Sequence, residues 1–507
     1  MTKKKIVVPR PVPRRRVLEG FGAALGAAAF GCGGTEDTYP NAEVTGAGGS
    51  GSGGWAGEGG GGGGAAAGGG GGGAVDHCAA TSSMSPEELL APIRTIVVLC
   101  MENRSFDHYL GSLRLHEGKP VNGLGGDERN PAPDGSQVGV FKLDDYTPED
   151  PPHNWDAAHA QWNLGANDGF VKAHAGPSQA EVMGYHVRDQ LTALYALADA
   201  GAICDRWFCS LLGPTWPNRF YLHGATSKGI KSNSPALGFT SVFELLKDAG
   251  VSHRNYFHDV PWCSGAYFKT SGINGIERFF SDAAAGTLPA FSIIDPQFFG
   301  AGANDDHPDH DVQLGQVLMA SIYSALAQSP QWNECLFVIT YDEHGGFFDH
   351  VAPPTKIDDD PEFSQLGFRV PSLVLGPYAR RGCAVSTPLE HVSVMKTLVT
   401  RFGIPALNAR VSASNDLSSC IDPTTIGAPQ PPVVLPQMAV SMSALAARAR
   451  ARGRAQLGGG HVEHPELWRA AEEGVIPRYL DRRGDGDAIA RRVLEEAARL
   501  GVVRLRG

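Results

Sequence analysis

Two pairs of polar residues follow short apolar runs of this 507-residue chain, and both contain an acid. One pair is Glu102-Asn103 and the other is Asp342-Glu343. Carboxylate and amide oxygens are the ligands that hard divalent cations prefer. Either pair alone is better explained by a helix cap or a loop hydrogen bond. Both pairs together, within Gly- and His-rich strings, favour one shared cation site.

A threonine lies between two prolines in the string Gly213–Arg219, which reads GPTWPNR. Pro214 and Pro217 fix φ on either side of Thr215, so the string predicts a stiff turn. A hydroxyl nucleophile benefits from such placement, because its orientation then costs no entropy at the reaction step. Coordination by a cation also lowers the pKa of a hydroxyl. Alone, a threonine between prolines is most often only a turn.

The elements that must position these residues are buried strands. Apolar runs rich in Val and Ile, typical of strands covered on both faces, are Ile93–Cys100, Ala290–Ile294, Leu336–Thr340 and Pro371–Leu375. Helical patterns lie between them, at Asp189–Ala200, Ser241–Ala249, Val312–Gln328 and Glu390–Phe402. This alternation predicts an α/β fold with a mostly parallel central sheet. In such sheets ligands bind beyond the carboxyl ends of the strands.

The overall composition is that of a globular enzyme, with 42% hydrophobic and 19% charged residues and a net charge of −11. Residues 1–31 carry seven Lys or Arg and one Glu, so the remainder is more acidic than the whole chain. An acidic body argues against nucleic acid as a partner, since nucleic-acid binders normally present a basic surface. Eight cysteines follow Cys32, and in an exported protein they permit up to four disulfides.

The N-terminal residues have the pattern of a twin-arginine export signal. Three arginines, 14–16, precede Val17-Leu18 and a mildly apolar stretch, Phe21–Gly31. That stretch is too short and too rich in Gly and Ala for a stable membrane-spanning helix. Cys32 follows small residues, as in a lipoprotein processing site, and is the candidate for a lipid anchor to a membrane surface. The equally weighted alternative is a soluble periplasmic or secreted protein cleaved nearby.

Four zones are predicted along the chain. Residues 1–31 are the export signal and residues 32–90 a flexible tether, since 19 of the 28 residues 46–73 are glycine. Residues 91–435 form the catalytic domain. Residues 436–507 are an Arg/Ala-rich extension with helical patterns at Ala444–Arg452 and Asp487–Leu500. We expect these helices to pack on the main domain; the alternative is a binding element for a partner or an anionic surface.

Three strings, MENRSFDHYLG, GPTWPNR and DEHGGFFDHVAPP, occur in this order. They resemble the motifs of a bacterial phosphoesterase family that includes phospholipases C of the phosphatidylcholine-hydrolysing, non-haemolytic type and related acid phosphatases. The resemblance spans about Ile93 to Asp422. It implies an alkaline-phosphatase-like three-layer α/β sandwich and a covalent phosphoenzyme intermediate.

The resemblance also assigns roles to single residues. Its metal ligands correspond to Glu102, Asn103, Thr215, Asp342 and Glu343, and its nucleophile to Thr215. Its catalytic histidines correspond to His153 in PHNWD and His307 in DDHPD, with His258 in the short string YFHD as a less secure third. Such histidines bind phosphoryl oxygens and protonate the leaving group. Three neighbours of the metal motif are expected to orient ligands or shape the loop: His344, Asp349 and His350.

The function expected from the sequence is an exported, metal-dependent phosphoesterase, with the identity of the divalent metal left open. Hydrolysis of phospholipid phosphodiesters is favoured, because the threonine in GPTWPNR is more typical of the phospholipase branch. The alternatives are an acid phosphatase acting on monoesters and, less favoured, a catalytically inactive surface lipoprotein. The sulfatase class is disfavoured, because the chain has no Cys/Ser-x-Pro-x-Arg string.

Overall fold

The structure is a computed structural model that describes residue 78, residues 80–459 and residues 464–506. The predicted export signal, Cys32 and the Gly-rich tract lie outside these described residues. The predictions made for them therefore stay predictions.

The strands include those that the apolar runs predict. They are β1 (Thr95–Met101), β2 (Arg129–Pro131), β3 (Gln137–Gly139), β4 (Phe141–Lys142), β5 (Gly184–Tyr185), β6 (Ala202–Ile203), β7 (Trp207–Phe208), β8 (His253–Phe257), β9 (Ile273–Gly275), β10 (Phe291–Asp295), β11 (Cys335–Tyr341), β12 (Leu373–Leu375), β13 (Cys383–Ala384), β14 (Leu389–Glu390), β15 (Met438–Ser441) and β16 (Val503–Arg506). The runs at 93–100, 290–294, 336–340 and 371–375 become β1, β10, β11 and β12 within a few residues.

A central sheet of eight strands has the order β13-β6-β12-β11-β1-β10-β8-β9. Strand β1 lies parallel to β10 and to β11, and β8 continues the parallel set. Strand β12 runs antiparallel to both of its neighbours, β11 and β6. Every residue of β1 and of β11 is buried, so both faces of the sheet are covered. The predicted mixed α/β fold with a mostly parallel sheet is confirmed.

The helices are α1 (Pro86–Leu90), α2 (Phe106–Leu110), α3 (Ser112–Glu117), α4 (Trp155–Trp162), α5 (Phe170–Ala173), α6 (Thr192–Ala200), α7 (Thr215–Gly224), α8 (Val242–Asp248), α9 (Trp262–Tyr267), α10 (Ile276–Ala285), α11 (Val312–Ala327), α12 (Val392–Phe402), α13 (Ala409–Ala413), α14 (Met442–Gly459), α15 (Pro465–Glu472) and α16 (Gly486–Arg499). The four helical patterns of the sequence become α6, α8, α11 and α12. Within the described ranges, no helix combines the length and the apolar composition that a membrane span requires.

Helix α7 corrects one expectation. The sequence predicts a stiff turn around Thr215, but the structure begins a ten-residue helix at this threonine. Pro214 is the extended residue just before the helix, and Pro217 lies in its first turn. A proline is tolerated there because the first N–H groups of a helix have no partner within the helix.

The C-terminal segment, of which the structure describes residues 436–459 and 464–506, folds onto the rest of the described chain. Strands β15 and β16 pair in parallel, and helix α16 packs against α11. Helix α15 packs against α9, where a Cβ added to Gly265 would lie 3.0 Å from Leu467 Cδ1. Arg482 N donates to Asp259 O at 2.8 Å.

One disulfide, Cys78–Cys383, is present among the described residues. It joins the start of the described chain to strand β13 across 305 residues of sequence. Six further cysteines are buried free thiols: Cys100, Cys204, Cys209, Cys263, Cys335 and Cys420. The structure thus shows fewer bridges than the four that the cysteine count permits.

Candidate active site

The two polar pairs meet at the carboxyl ends of β1 and β11. The parallel register places Met101 opposite Tyr341, so each pair follows its strand at the same level of the sheet. Asp342 N donates to Met101 O at 3.1 Å, which adds one more hydrogen bond to the pairing between β1 and β11. The four polar side chains are almost fully buried. The sheet itself therefore brings the four predicted ligands together.

Asn103 takes a backbone conformation that few residues adopt. Its φ is 57°, in the left-handed region where asparagine is enriched. Asn103 N donates to Asp342 Oδ1 at 3.0 Å. Gly345 lies so close that a Cβ there would stand 2.1 Å from Asn103 O, and its own φ is 63°. The glycine after Asp-Glu-His is therefore required for the two strand ends to meet.

The hydroxyl of Thr215 faces this cluster from the first residue of α7. Thr215 Oγ1 lies 3.3 Å from Glu102 Oε2 and 3.4 Å from Asn103 Oδ1. The side chain of Thr215 is buried, and the next residue, Trp216, donates its backbone N–H to Asn233 Oδ1 at 2.9 Å. The positive end of the helix dipole also lies at Thr215, which favours negative charge on a bound phosphoryl group.

The oxygens of the cluster face one another. As placed, Asn103 Oδ1 lies 2.7 Å from Glu343 Oε1 and 3.3 Å from Asp342 Oδ1, with acceptors on both sides. Turning the amide over would let its nitrogen donate to these carboxylates and its oxygen accept from the two histidines. In the first orientation these oxygens would together bind a hard cation at the centre, whereas a protonated His153 Nε2 requires the second. The donor set of Glu102, Asn103, Thr215, Asp342 and Glu343 thus fits a divalent metal.

Arg219 is the residue of this site that sequence reasoning missed. Its Nη2 lies 2.7 Å from Glu102 Oε1 and its Nε 3.1 Å from Asp342 Oδ2, with the guanidinium fully buried. Burial raises the pKa of Glu102 well above its usual value; Arg219 opposes this rise and Asp342 adds to it. No local pattern marked it, because its position four residues after Thr215 becomes informative only once Thr215 is known to begin a helix.

His153 points its Nε2 at the cluster, 3.2 Å from Asn103 Nδ2 and 3.7 Å from Glu343 Oε1. Its Nδ1 lies 2.7 Å from Pro151 O, which fixes the orientation of the ring. Burial alone would lower the pKa of His153, but the carboxylates of Glu343 and Asp150 outweigh it and raise the pKa to about 9. With no metal cation bound to Glu343, this imidazole is protonated at neutral pH.

His307 faces the same amide from the other side, with its Nε2 3.1 Å from the nitrogen position of Asn103. Its Nδ1 lies 2.9 Å from Pro308 O. Burial lowers the pKa of His307 to about 3, and the neighbouring histidines 464 and 310 act in the same direction. This ring is neutral, so the site combines one cationic and one neutral imidazole.

His258 stands apart from this group. Its Nδ1 lies 2.7 Å from Asp295 O, and burial lowers the pKa of the ring to about 4. Among the described residues, no recorded hydrogen bond or ring contact joins His258 to Thr215 or to the oxygen cluster. Its catalytic role stays a prediction.

The three expected supporting residues divide between two places. His344 touches the cluster, with Nδ1 3.2 Å from Glu343 Oε2 and Nε2 2.8 Å from Gln161 Oε1. Asp349 and His350 belong to a buried ion cluster around Arg369. Its Nε lies 2.9 Å from Asp349 Oδ1, and its Nη2 lies 3.0 Å from Asp107, which also binds His350. This cluster holds the loop that follows the metal motif.

Two further groups near the site were given no role from the sequence. His391 Nε2 lies 2.7 Å from Asp342 O and supports the backbone of that ligand. Asp305 accepts from His310 and from His464, and His464 belongs to the C-terminal segment. Their partners are distant in sequence, so only the folded structure identifies them.

Comparison with known proteins places the chain in a family. Residues 93–405, more than half of the chain, match the Phosphoesterase family, and the chain belongs to it. It is 34% identical over 396 residues to non-specific phospholipase C6 of Arabidopsis thaliana, covering 69% of this chain and 76% of that protein. It is 32% identical over 391 residues to phospholipase C A of Mycobacterium tuberculosis, covering 63% of this chain and 74% of that protein.

The resemblance inferred from the three motifs is confirmed by these matches. The chain is a phosphoesterase, a hydrolase acting on phosphoester bonds. Among solved structures, it is similar to a protein in the alkaline phosphatase superfamily from Vibrio parahaemolyticus. That likeness has 13% identity and a TM-score of 0.31, and covers 66% of this chain and 79% of the other.

Proposed function

We propose that this phosphoesterase hydrolyses phospholipid phosphodiesters in the manner of a phospholipase C, through a phosphothreonine intermediate on Thr215. The observation that supports the mechanism most is the position of Thr215 Oγ1, 3.3 Å and 3.4 Å from oxygens of Glu102 and Asn103. The support for the substrate class is the name shared by the relatives, which are phospholipases C.

Metal dependence is part of the proposal. Glu102, Asn103, Asp342 and Glu343 would hold a divalent cation together with the Thr215 hydroxyl. When bound, such a cation supplies Lewis-acid chemistry, lowering the pKa of the hydroxyl and neutralising charge on the phosphoryl group. Arg219 already offsets part of the charge of the three carboxylates, so one divalent cation leaves the cluster close to neutral.

In the first step, Thr215 Oγ1, which has lost its proton to solvent, bonds to phosphorus as the bond to the departing alcohol breaks. The protonated His153 is the general acid, because its Nε2 faces the cluster and its pKa is about 9. His307 Nδ1 donates to Pro308 O, so the Nε2 of this neutral ring is an acceptor and is suited to orient the attacking water. In the second step, the water oxygen bonds to phosphorus as the P–O bond to Thr215 breaks, and His153 accepts the proton from the water. The phosphoryl product leaves, and Thr215 Oγ1 regains the deprotonated form in which it attacked.

A substrate panel tests this function. Phosphate-containing products are measured from phosphatidylcholine vesicles and from simple aryl phosphate monoesters, each with and without a chelator. The proposal expects phosphocholine and diacylglycerol from the vesicles, and loss of this activity with chelator. Hydrolysis of the monoesters alone would make the enzyme an acid phosphatase instead. Hydrolysis that persists in chelator would remove the metal from the mechanism.

Export is proposed on the sequence alone. The arginines 14–16 with Val17-Leu18 support transport of the folded enzyme by the twin-arginine route. Replacing the three arginines with lysine should leave precursor in the cytoplasm, and normal export of that variant would rule the route out. Cys32→Ser should release the protein from membranes if Cys32 is lipidated, whereas unchanged fractionation would leave only the soluble form.

A further inference from the structure

The C-terminal segment brings a histidine next to the catalytic groups. His464 directly precedes helix α15, and its side chain is only 8% exposed. Its Nε2 lies 3.0 Å from Asp305 Oδ2. Its ring centroid lies 4.7 Å from that of His307, with the planes at 67°. The residues that match the family end at 405, so His464 comes from outside the matched region.

Asp305 connects this histidine to the rest of the site. Asp305 Oδ1 accepts from His310 Nδ1 at 2.5 Å and from His307 N at 3.0 Å. Its backbone oxygen accepts from Glu102 N at 2.8 Å. One residue therefore bonds to His464 of the C-terminal segment, to the loop of His307 and to the strand end of Glu102.

The backbone of His464 is held in an unfavourable conformation. Its φ of 42° and ψ of 60° lie in the left-handed region, and the residue precedes a proline, which further restricts it. Such conformations persist where surrounding packing imposes them, and they cluster at functional sites. Here the ring packs edge-on against Phe298 at 5.1 Å and Phe299 at 5.9 Å.

We propose that His464 is a positioning residue of the phosphoester site, so that the C-terminal segment completes the active site. This inference rests on the proposed function, because it assigns His307 a role in catalysis. His464 supports the His307 ring by its edge-to-face contact and holds Asp305, which bonds to the backbone of His307. Misplacing a reacting group by about 1 Å can cost on the order of 100-fold in rate.

A metal site is the competing interpretation, since Asp305, His310 and His464 have the side-chain types of a zinc centre. The distances favour hydrogen bonds. Nitrogens and oxygens bound tetrahedrally at about 2.0–2.1 Å from zinc stand roughly 3.3 Å apart. The observed separations from Asp305 are 2.5 Å and 3.0 Å. Asp305 therefore accepts from both rings directly.

The test compares three variants of the full chain on the phosphoester that the wild type hydrolyses best. His464→Ala removes the contact. His464→Gln keeps an N–H donor near the Nε2 position. Trp468→Ala is the matched control, because Trp468 lies on the same helix and packs on Phe299 and Arg483. We expect kcat to fall about 10- to 100-fold in His464→Ala with KM within about threefold, and His464→Gln to recover most of the loss.

Three results would overturn the inference. The first is a kcat in His464→Ala equal to that of the wild type. The second is an equal loss of kcat in Trp468→Ala, which would mean that any disturbed packing of this helix lowers the rate. The third is loss of one bound metal per chain in His464→Ala, which would make His464 a ligand.

Hydrogen exchange provides a readout that does not need activity. Backbone amides within residues 305–310 should exchange faster in His464→Ala than in the wild type, and their exchange rates should be unchanged in Trp468→Ala. Unchanged exchange in His464→Ala would contradict the positioning role even if the wild type hydrolysed no phosphoester. Such inactivity of the wild type would itself refute only the proposed function.

Discussion

Removing Arg219 tests the electrostatics of the proposed metal site. Arg219→Met leaves the carboxylates of Glu102 and Asp342 buried without their cation, because the guanidinium lies 2.7 Å and 3.1 Å from them. Breaking a buried ion pair by removing one partner typically costs about 3–5 kcal/mol. For a chain of this size, 1 kcal/mol corresponds to a shift in Tm of about 1 °C. In chelator we therefore expect Tm to fall by roughly 3–5 °C.

A divalent cation should reverse part of that loss, since it would neutralise the same carboxylates. Arg410→Met is the matched control. Arg410 is equally buried and binds Glu390 at 2.6 Å and Asp358 at 2.7 Å, away from the oxygen cluster. The assay is Tm by thermal unfolding, with chelator and then with excess Mg²⁺, Ca²⁺ or Zn²⁺. Larger recovery in Arg219→Met than in Arg410→Met is expected; equal recovery, or none, would refute the cation site.

Three further predictions concern the same groups. Thr215→Val should lower kcat by several orders of magnitude, while Thr215→Ser keeps the hydroxyl and much of the activity, as steady-state kinetics will measure. Glu102→Ala or Asp342→Ala should lose activity and bound metal together, and unchanged metal stoichiometry would contradict the ligand assignment. kcat should fall at alkaline pH as His153 loses its proton, and His153→Gln should lose that limb of the pH profile.

The same pKa predicts a stability effect. In chelator, where no cation is bound to Glu343, folding raises the pKa of His153 from 6.5 to about 9. The stabilisation from its ion pairs is therefore complete below about pH 6.5 and is lost as the pH rises through 9. Between these values the difference in Tm between wild type and His153→Gln should shrink, and a constant difference would contradict the shift.

The strands and their polar ends were predictable because both depend on local patterns. A buried parallel strand needs an apolar run, and Glu102 and Asp342 follow such runs directly. The helix that begins at Thr215 was not predictable, because the flanking prolines indicate a turn as strongly as they indicate the first turn of a helix. The family motifs supplied His153 and His307, whose approach to Asn103 depends on loops without periodicity.

Arg219 and His464 show what local patterns cannot contain. Arg219 gains its role only when the strand ends of β1 and β11 lie beside α7, and an arginine in a helix is usually a surface residue. His464 is separated from Asp305 by 159 residues of sequence, and no motif marks it. The helical patterns predicted at Ala444–Arg452 and Asp487–Leu500 do not include it, and only the folded chain brings this histidine beside His307.

The central claim is that Thr215 becomes covalently phosphorylated during turnover. Rapid quenching of the enzyme with labelled phosphoester substrate, followed by peptide mass spectrometry, tests it most directly. The account predicts one phosphoryl adduct on the peptide that contains Thr215, a phosphocholine ester when the substrate is phosphatidylcholine, formed at least as fast as kcat and absent in Thr215→Val. An unmodified peptide during steady turnover, with near-normal kcat in Thr215→Val, would mean that water attacks phosphorus directly and would contradict the account.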